Sequence, residues 1–160
     1  MDQEIQYIIK QLTEVYEGEA WYGRPLQQLL DSVQADTVFE KPAGQHAIID
    51  ILWHMITWRE FTIDRLQHSP QMTLAYFENN DWRRLDRTDK DLWPQGRERL
   101  QETQDQLLSL LRQTDDALLA KQVRERNYDF RKLLHGVIQH DIYHIGQIAF
   151  ISKLLRGASQ

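Results

Sequence analysis

Apolar residues recur at intervals of three and four through most of this 160-residue chain, and this period is the strongest constraint on its fold. Such spacing places apolar side chains on one face of an α-helix, whereas the alternation typical of a half-buried strand is scarce. The long segments with the helical pattern cover about residues 2–17, 45–66, 91–113 and 128 or 130 to 155. Amphipathic helices of this length pack most simply as a bundle. We therefore predict an all-α fold, a four-helix bundle.

The segments between these helices differ in length and composition. After the first helix, Pro25 can occupy a first turn, and the short apolar stripe that follows it to Val33 predicts a short extra helix. Residues 67–90 contain a proline, paired asparagines and little sustained period, so we predict a long loop between the second and third long helices, part of which covers a pocket. The length suits one domain, which we assign to residues 1–160.

Composition and charge exclude several classes of function. The formal net charge is -5 and the basic residues are dispersed, so we expect no nucleic acid partner. There is no N-terminal signal segment and no uninterrupted run of roughly 18 apolar residues, so we expect no membrane partner and a cytoplasmic location. The chain has no cysteine, so any reactive thiol has to come from another molecule.

Three histidines interrupt the apolar faces of the predicted helices. His140 and His144 lie four residues apart and share one face of the last helix, and His54 replaces an apolar residue in the second long helix. A single buried histidine is usually satisfied by a carbonyl or a carboxylate. Three buried rings without a shared partner would cost roughly 1–3 kcal/mol for each unsatisfied group. We therefore predict that all three bind one ion, at the Zn–N distance of about 2.0–2.1 Å, and leave a tetrahedral position open.

The remaining histidines fit this site less well. His46 lies two turns before His54, about 12 Å along the helix axis, so we place it near a helix start at the rim of the pocket. His135 is rotated away from the ligand face, and His68 lies in the long loop. We expect both to face solvent.

The candidate catalytic residues are two carboxylates and an amide. Asp50 lies one turn before His54, and Asp141 adjoins His140, so either can accept the second N–H of a ligating imidazole or remain a solvated surface charge. Gln147 lies on the ligand face and can bind a water molecule or the substrate, or form a buried link between two helices. The histidine pair encloses no glutamate, so the built-in base of the zincin peptidases is absent.

Aromatic residues can line a pocket beside the ion. Trp21 and Trp82 lie in predicted turns and are free to face a substrate, whereas the helical spacing of Trp58 favours packing in the core. We therefore take Trp21, Trp82 and His46 as candidates for binding a cofactor or a substrate.

Three segments, HGVIQHDIYHIGQIAFISKLL, IIDILWHMITWRE and GEAWYGRPLQQLLDSV, together resemble the DinB/YfiT-like superfamily of metal-dependent helical proteins. The most specific part is the last helix, where the family has a small residue, a histidine and then Tyr-His-x-Gly-Gln. The matching residues are Gly136, His140, Tyr143, His144, Gly146 and Gln147. The isoleucine before Gly146 departs from the small residue that is common in the family, which leaves the ligand set intact.

This resemblance implies a bundle that binds one divalent ion, often zinc or nickel, through His54, His140 and His144. It also implies a homodimer. The better understood relatives are S-transferases or isomerases that use a low-molecular-weight thiol such as bacillithiol or mycothiol.

An ion held by three histidines can lower the pKa of bound water toward about 7 for hydrolysis, or bind a thiol as thiolate for transfer. The ligand face carries no obvious carboxylate base, which favours thiol transfer. We therefore predict a metal-dependent thiol S-transferase that acts on small electrophiles. The alternatives are a metal-dependent hydrolase of a small substrate and a non-enzymatic metal- or ligand-binding module, in which a fourth protein ligand closes the site.

Overall fold

The structure, a computed structural model, describes residues 3–42 and 44–158, and its helices confirm the all-α prediction. The described helices are α1 (Gln3–Tyr16), α2 (Leu26–Asp31), α3 (Ile48–Leu66), α4 (Leu74–Asn79), α5 (Leu92–Leu111) and α6 (Phe130–Ala158), with a 3-10 turn at Asp116–Ala120. Among them, none combines the length and the apolar content that a membrane-spanning helix needs.

The four longest helices, α1, α3, α5 and α6, form the predicted bundle. Helix α3 packs against α5 and α6, and α1 packs against the same two helices, so α1 and α3 lie diagonally opposite each other. Buried side chains from all four form one core, which includes Leu12 of α1, Leu52 of α3, Leu100 of α5 and Ile148 of α6. Because α3 and α6 are direct neighbours, side chains on their facing sides meet inside the bundle.

The long connection between α3 and α5 contains a short helix, α4, that the sequence pattern does not predict. It begins after Thr73, whose hydroxyl accepts a hydrogen bond from the backbone N–H of Tyr76 (3.3 Å). Its buried residue is Phe77, which packs in a second apolar cluster. A helix of six residues is shorter than two turns, so it is too short to display an apolar period.

Two helix ends differ from the predicted ones. Helix α3 begins at Ile48 rather than near Gln45, because the carboxylate of Asp50 accepts a hydrogen bond from the N–H of Ala47 (3.0 Å) and caps the helix there. Helix α6 continues through Gly157, where the sequence predicts an end. A glycine ends a helix when it adopts the left-handed conformation, and the backbone of Gly157 stays helical.

Candidate metal centre

Three imidazoles meet where α3 faces α6. His54 comes from the middle of α3, and His140 and His144 come from successive turns of α6. The Nε2 atom of His140 lies 2.9 Å from Nε2 of His54 and 3.1 Å from Nε2 of His144. One ring nitrogen of each lies within 4.8 Å of the other two. The fold therefore brings together the three histidines that the sequence predicts as ligands.

Hydrogen bonds at the outer ring nitrogens determine where the lone pairs are. Nδ1 of His54 donates to the backbone carbonyl of Asp81 (2.9 Å), and Nδ1 of His144 donates to Oε1 of Gln147 (2.6 Å). The Nε2 atoms of both rings are therefore acceptors. A proton on Nε2 of His140 can satisfy only one of them, whereas a shared cation suits all three nitrogens. Nitrogens bound to one tetrahedral zinc ion lie about 3.3 Å apart, close to the observed spacing, so this donor set fits a divalent ion.

Burial keeps the three rings neutral near pH 7. Burial, reinforced by the neighbouring rings and by Arg59, lowers the pKa of His140 to about 3. Burial lowers the pKa of His144 to about 4, although a hydrogen bond to the ring opposes the shift. Burial also lowers the pKa of His54, against the effect of Asp81. Neutral imidazole is the form that coordinates a metal, so protons compete little for these nitrogens at neutral pH.

A buried chain of polar groups crosses the bundle beside His140. Arg59 of α3 binds the carboxylate of Asp141 in α6 through Nε (3.2 Å) and Nη2 (2.6 Å), and the two residues are 1% and 0% exposed. Nη1 of Arg59 donates to Gln104 of α5 (2.9 Å), whose amide donates to the carbonyl of Leu12 in α1 (3.2 Å). The sequence predicts that Asp141 accepts from an imidazole or is solvated, whereas its carboxylate pairs with Arg59 and fixes α3 against α6.

Asp50 lies one turn before His54 on α3, but its carboxylate has other partners than that imidazole. Its carboxylate binds Nη2 of Arg87 (2.6 and 2.7 Å) as well as capping α3. The aspartate that accepts from His54 is Asp81, through its backbone carbonyl, and no pattern in the sequence indicates this residue. Asp81 lies in the connection without an apolar period, and only the folding of that connection onto α3 brings it to the ring.

Asp81 joins a predicted ligand to a neighbouring aromatic residue. Its Oδ1 atom accepts a hydrogen bond from Nε1 of Trp58 (2.6 Å) and lies 3.0 Å from Nδ1 of His54. Next to it, the carbonyl of Asn80 accepts a hydrogen bond from the hydroxyl of Thr57 (3.1 Å). These contacts to α3 hold the connection over the site.

Trp82 lies between two imidazoles. Its ring centroid is 3.6 Å from that of His46 and 4.0 Å from that of His54, and the ring planes are nearly parallel, at 4° and 6°. The indole therefore covers one face of His54. His46 forms the outer layer of this stack, which agrees with its predicted place at the rim.

Gln147 acts on a predicted ligand. Its Oε1 atom accepts from Nδ1 of His144, and its Nε2 atom donates to the hydroxyl of Tyr143 (3.2 Å). The sequence left open a contact with water or substrate and a link between two helices, whereas both of these bonds lie within α6. Gln147 therefore fixes the tautomer and the orientation of His144.

Three other residues are placed away from this group. Trp21 lies in a turn and is 100% exposed, so it does not pack against the histidine group, and its role in binding a cofactor or a substrate stays a prediction. His68 is exposed, as expected, whereas His135 is half-buried.

The fold and the histidine group define an all-helical bundle protein with a site that could hold a metal ion between two of its long helices. A family model described as the DinB superfamily matches residues 21–148, and the chain belongs to this superfamily. No curated protein and no solved structure matches the chain.

Proposed function

We propose that this protein is a metal-dependent thiol S-transferase that joins a low-molecular-weight thiol to a small electrophile, with one zinc or nickel ion as its cofactor. The observation that carries the proposal is the convergence of three neutral imidazoles whose flanking carboxylates are already engaged. The carboxylate of Asp81 is bonded to Trp58, and that of Asp141 is bonded to Arg59. Asp141 is therefore not a free general base for water, and Oδ1 of Asp81 is held by the indole and by Nδ1 of His54, the ring nitrogen that faces away from the shared Nε2 atoms. The proposal includes a cytoplasmic location, because cellular thiols are kept reduced there.

A bound divalent ion supplies positive charge that lowers the pKa of a thiol or a water molecule at its open position. The chain supplies the geometry. The three imidazoles present neutral lone pairs, and Asp81 and Gln147 hold two of them in the required tautomer. In the overall reaction the thiol loses its proton, its sulfur forms a bond to the electrophilic atom, and the leaving group departs with the pair of electrons from the broken bond.

An open ligand position favours an enzyme over a non-enzymatic binding module. Within residues 3–42 and 44–158, the side chains that could together hold an ion at this site are His54, His140 and His144. Structural zinc sites are closed by a fourth protein ligand, whereas catalytic sites with three protein ligands keep a position for a small molecule.

The test is conjugate formation. Zinc- or nickel-loaded chain is incubated with bacillithiol, mycothiol or cysteine and a panel of small electrophiles, and the products are measured by mass spectrometry. We expect a thiol conjugate that forms faster than in the presence of a His140→Ala/His144→Ala control. Consumption of a substrate without thiol would replace the proposal with the hydrolase alternative. Equal rates with the wild-type and control chains would contradict both.

We also propose that the chain forms a homodimer through α6. Exposed apolar side chains on this helix are Ile142, Tyr143, Phe150 and Leu154, which are 37–67% exposed. Tyr143, Phe150 and Leu154 lie on one side of α6, and an exposed apolar patch of this kind is typical of a protein interface. Sedimentation should give a dimer for the wild-type chain and a monomer for Phe150→Glu, with the bound metal retained by both. A monomeric wild-type chain would contradict this assignment.

A further inference from the structure

A small apolar cavity lies beside His140, between α3 and α6. Its volume is about 230 Å³. The walls include Trp58 and Phe61 from α3, Leu133 and Val137 from α6, and Tyr128 from the segment before α6. His140 forms one end, so the cavity touches the candidate metal centre through one of its three imidazoles.

The cavity follows the groove between two antiparallel helices. Its α3 residues come one to two turns after His54, and its α6 residues come one to two turns before His140. The cavity therefore extends from the histidine group in one direction along the helix pair. The stack of Trp82 on His54 is a separate feature, formed by the connection between α4 and α5.

The chemistry of the walls selects apolar groups. Phe61 and Leu133 belong to a buried apolar cluster, against which Trp58 and Tyr128 pack. The indole N–H of Trp58 is directed at Asp81, so it is not a free donor in the cavity. An apolar cavity of about 150 Å³ holds benzene, so 230 Å³ accommodates one ring with a short substituent. The lining also contains Thr62, whose hydroxyl donates to the carbonyl of Trp58 (2.9 Å), and the exposed Lys132. A charged group placed among the apolar walls would lose its hydration.

We propose that this cavity binds the apolar body of the substrate, a single aromatic ring or a branched aliphatic group of similar size, and so positions its reactive atom at the histidine group. This inference rests on the proposed function for the identity of the reacting atoms. The binding of an apolar group by the cavity does not depend on it. The expected substrates are therefore small electrophiles with an apolar body rather than sugars.

Gly136 is the position from which the cavity can be filled. A Cβ atom at Gly136 meets nothing within 4 Å, and a helical side chain leans toward the preceding turn, here that of Leu133. Gly136→Leu should occupy the cavity without displacing a histidine. Replacing a helical glycine also raises helix propensity, so the variant should fold. Gly146 gives a matched control, because its Cβ would also meet nothing within 4 Å, and it is exposed and lies outside the cavity.

The first measurement is toluene binding to the full chain with one equivalent of zinc. Methyl NMR signals of Leu133 and Val137 should shift and saturate in the wild type and in Gly146→Leu. The shifts should be weaker in Gly136→Ala and lost in Gly136→Leu. Absence of saturable shifts in the wild type would overturn the proposal, as would unchanged binding by Gly136→Leu.

The second measurement connects the cavity to the ion. The cobalt(II)-loaded chain is titrated with phenylmethanethiol and with ethanethiol, and the cobalt absorption spectrum is followed. Phenylmethanethiol should bind roughly tenfold more tightly because its ring is buried, and Gly136→Leu should remove this difference. Equal wild-type affinities would overturn the link between cavity and ion. A spectrum that neither thiol changes would contradict the proposed thiol chemistry instead, and the toluene titration would then decide the cavity.

Discussion

Removal of the hydrogen bond between Gln147 and His144 should weaken metal binding without unfolding the protein. In the wild type, Oε1 of Gln147 accepts the Nδ1 proton of His144 at 2.6 Å, and His144 is only 3% exposed. Gln147→Leu retains a side chain of similar size but has no acceptor. Because the ring is buried, water is a poor replacement for the lost partner.

The magnitude follows from the tautomer that coordination requires. A metal at Nε2 forces the proton onto Nδ1, which in Gln147→Leu has lost its acceptor. A buried donor without a partner costs about 1–3 kcal/mol, which corresponds to roughly 5- to 150-fold in Kd. Loss of a hydrogen-bond partner behind a metal ligand typically costs about 10- to 100-fold, in the same range. In the metal-free variant the proton can move to Nε2, so the free energy of unfolding should change much less.

The assay is a competition titration of zinc against a chelating indicator at pH 7.5, with thermal unfolding of the metal-free chain measured in parallel. Gln147→Glu is the matched control, because it retains an acceptor and should bind zinc at least as tightly as the wild type. Tyr143→Phe removes only the other bond of Gln147 and should have a small effect. A zinc Kd for Gln147→Leu within twofold of the wild-type value would refute the reasoning.

The other predictions concern metal removal, pH and the buried ion pair. Removing zinc should lower the melting temperature by about 5–10 °C relative to a sample with free zinc at 100 times Kd, since binding then contributes about 2.7 kcal/mol; an unchanged melting temperature after verified removal would contradict the ligand assignment. The pKa values of His140 and His144, about 3 and 4, and the lowered pKa of His54 mean that protons compete only in acid. Zinc affinity should therefore be nearly constant from pH 8 to 6.5 and fall toward pH 4, whereas three rings with the ordinary pKa of 6.5 would already lose about eightfold by pH 6.5. Arg59→Met leaves Asp141 buried without its partner and should cost about 3–5 kcal/mol in urea unfolding, part of which Arg59→Met/Asp141→Leu recovers; equal losses in the single and double variants would argue against the pair.

The sequence by itself determined the helices and the local half of the metal centre. The apolar period predicts α1, α3, α5 and α6, because residues three and four positions apart lie on the same face of a helix, and the apolar face is the one that is buried. The four-residue spacing of His140 and His144 places both rings on one face of α6 for the same reason. Two features of the sequence connect His54 to this pair. It is a third imidazole at the centre of an apolar helix face, and the resemblance to the DinB/YfiT-like superfamily implies the same ligand.

Only the tertiary structure decided which groups surround the imidazoles. The sequence places Asp50 near His54, but the fold gives that carboxylate to Arg87 and brings Asp81 to the ring instead. The fold likewise pairs Asp141 with Arg59, 82 positions away, and forms the cavity beside His140 from residues of two helices. A hydrogen bond depends on distances of about 3 Å between elements far apart in the chain, and helix packing sets those distances, which local periodicity does not encode.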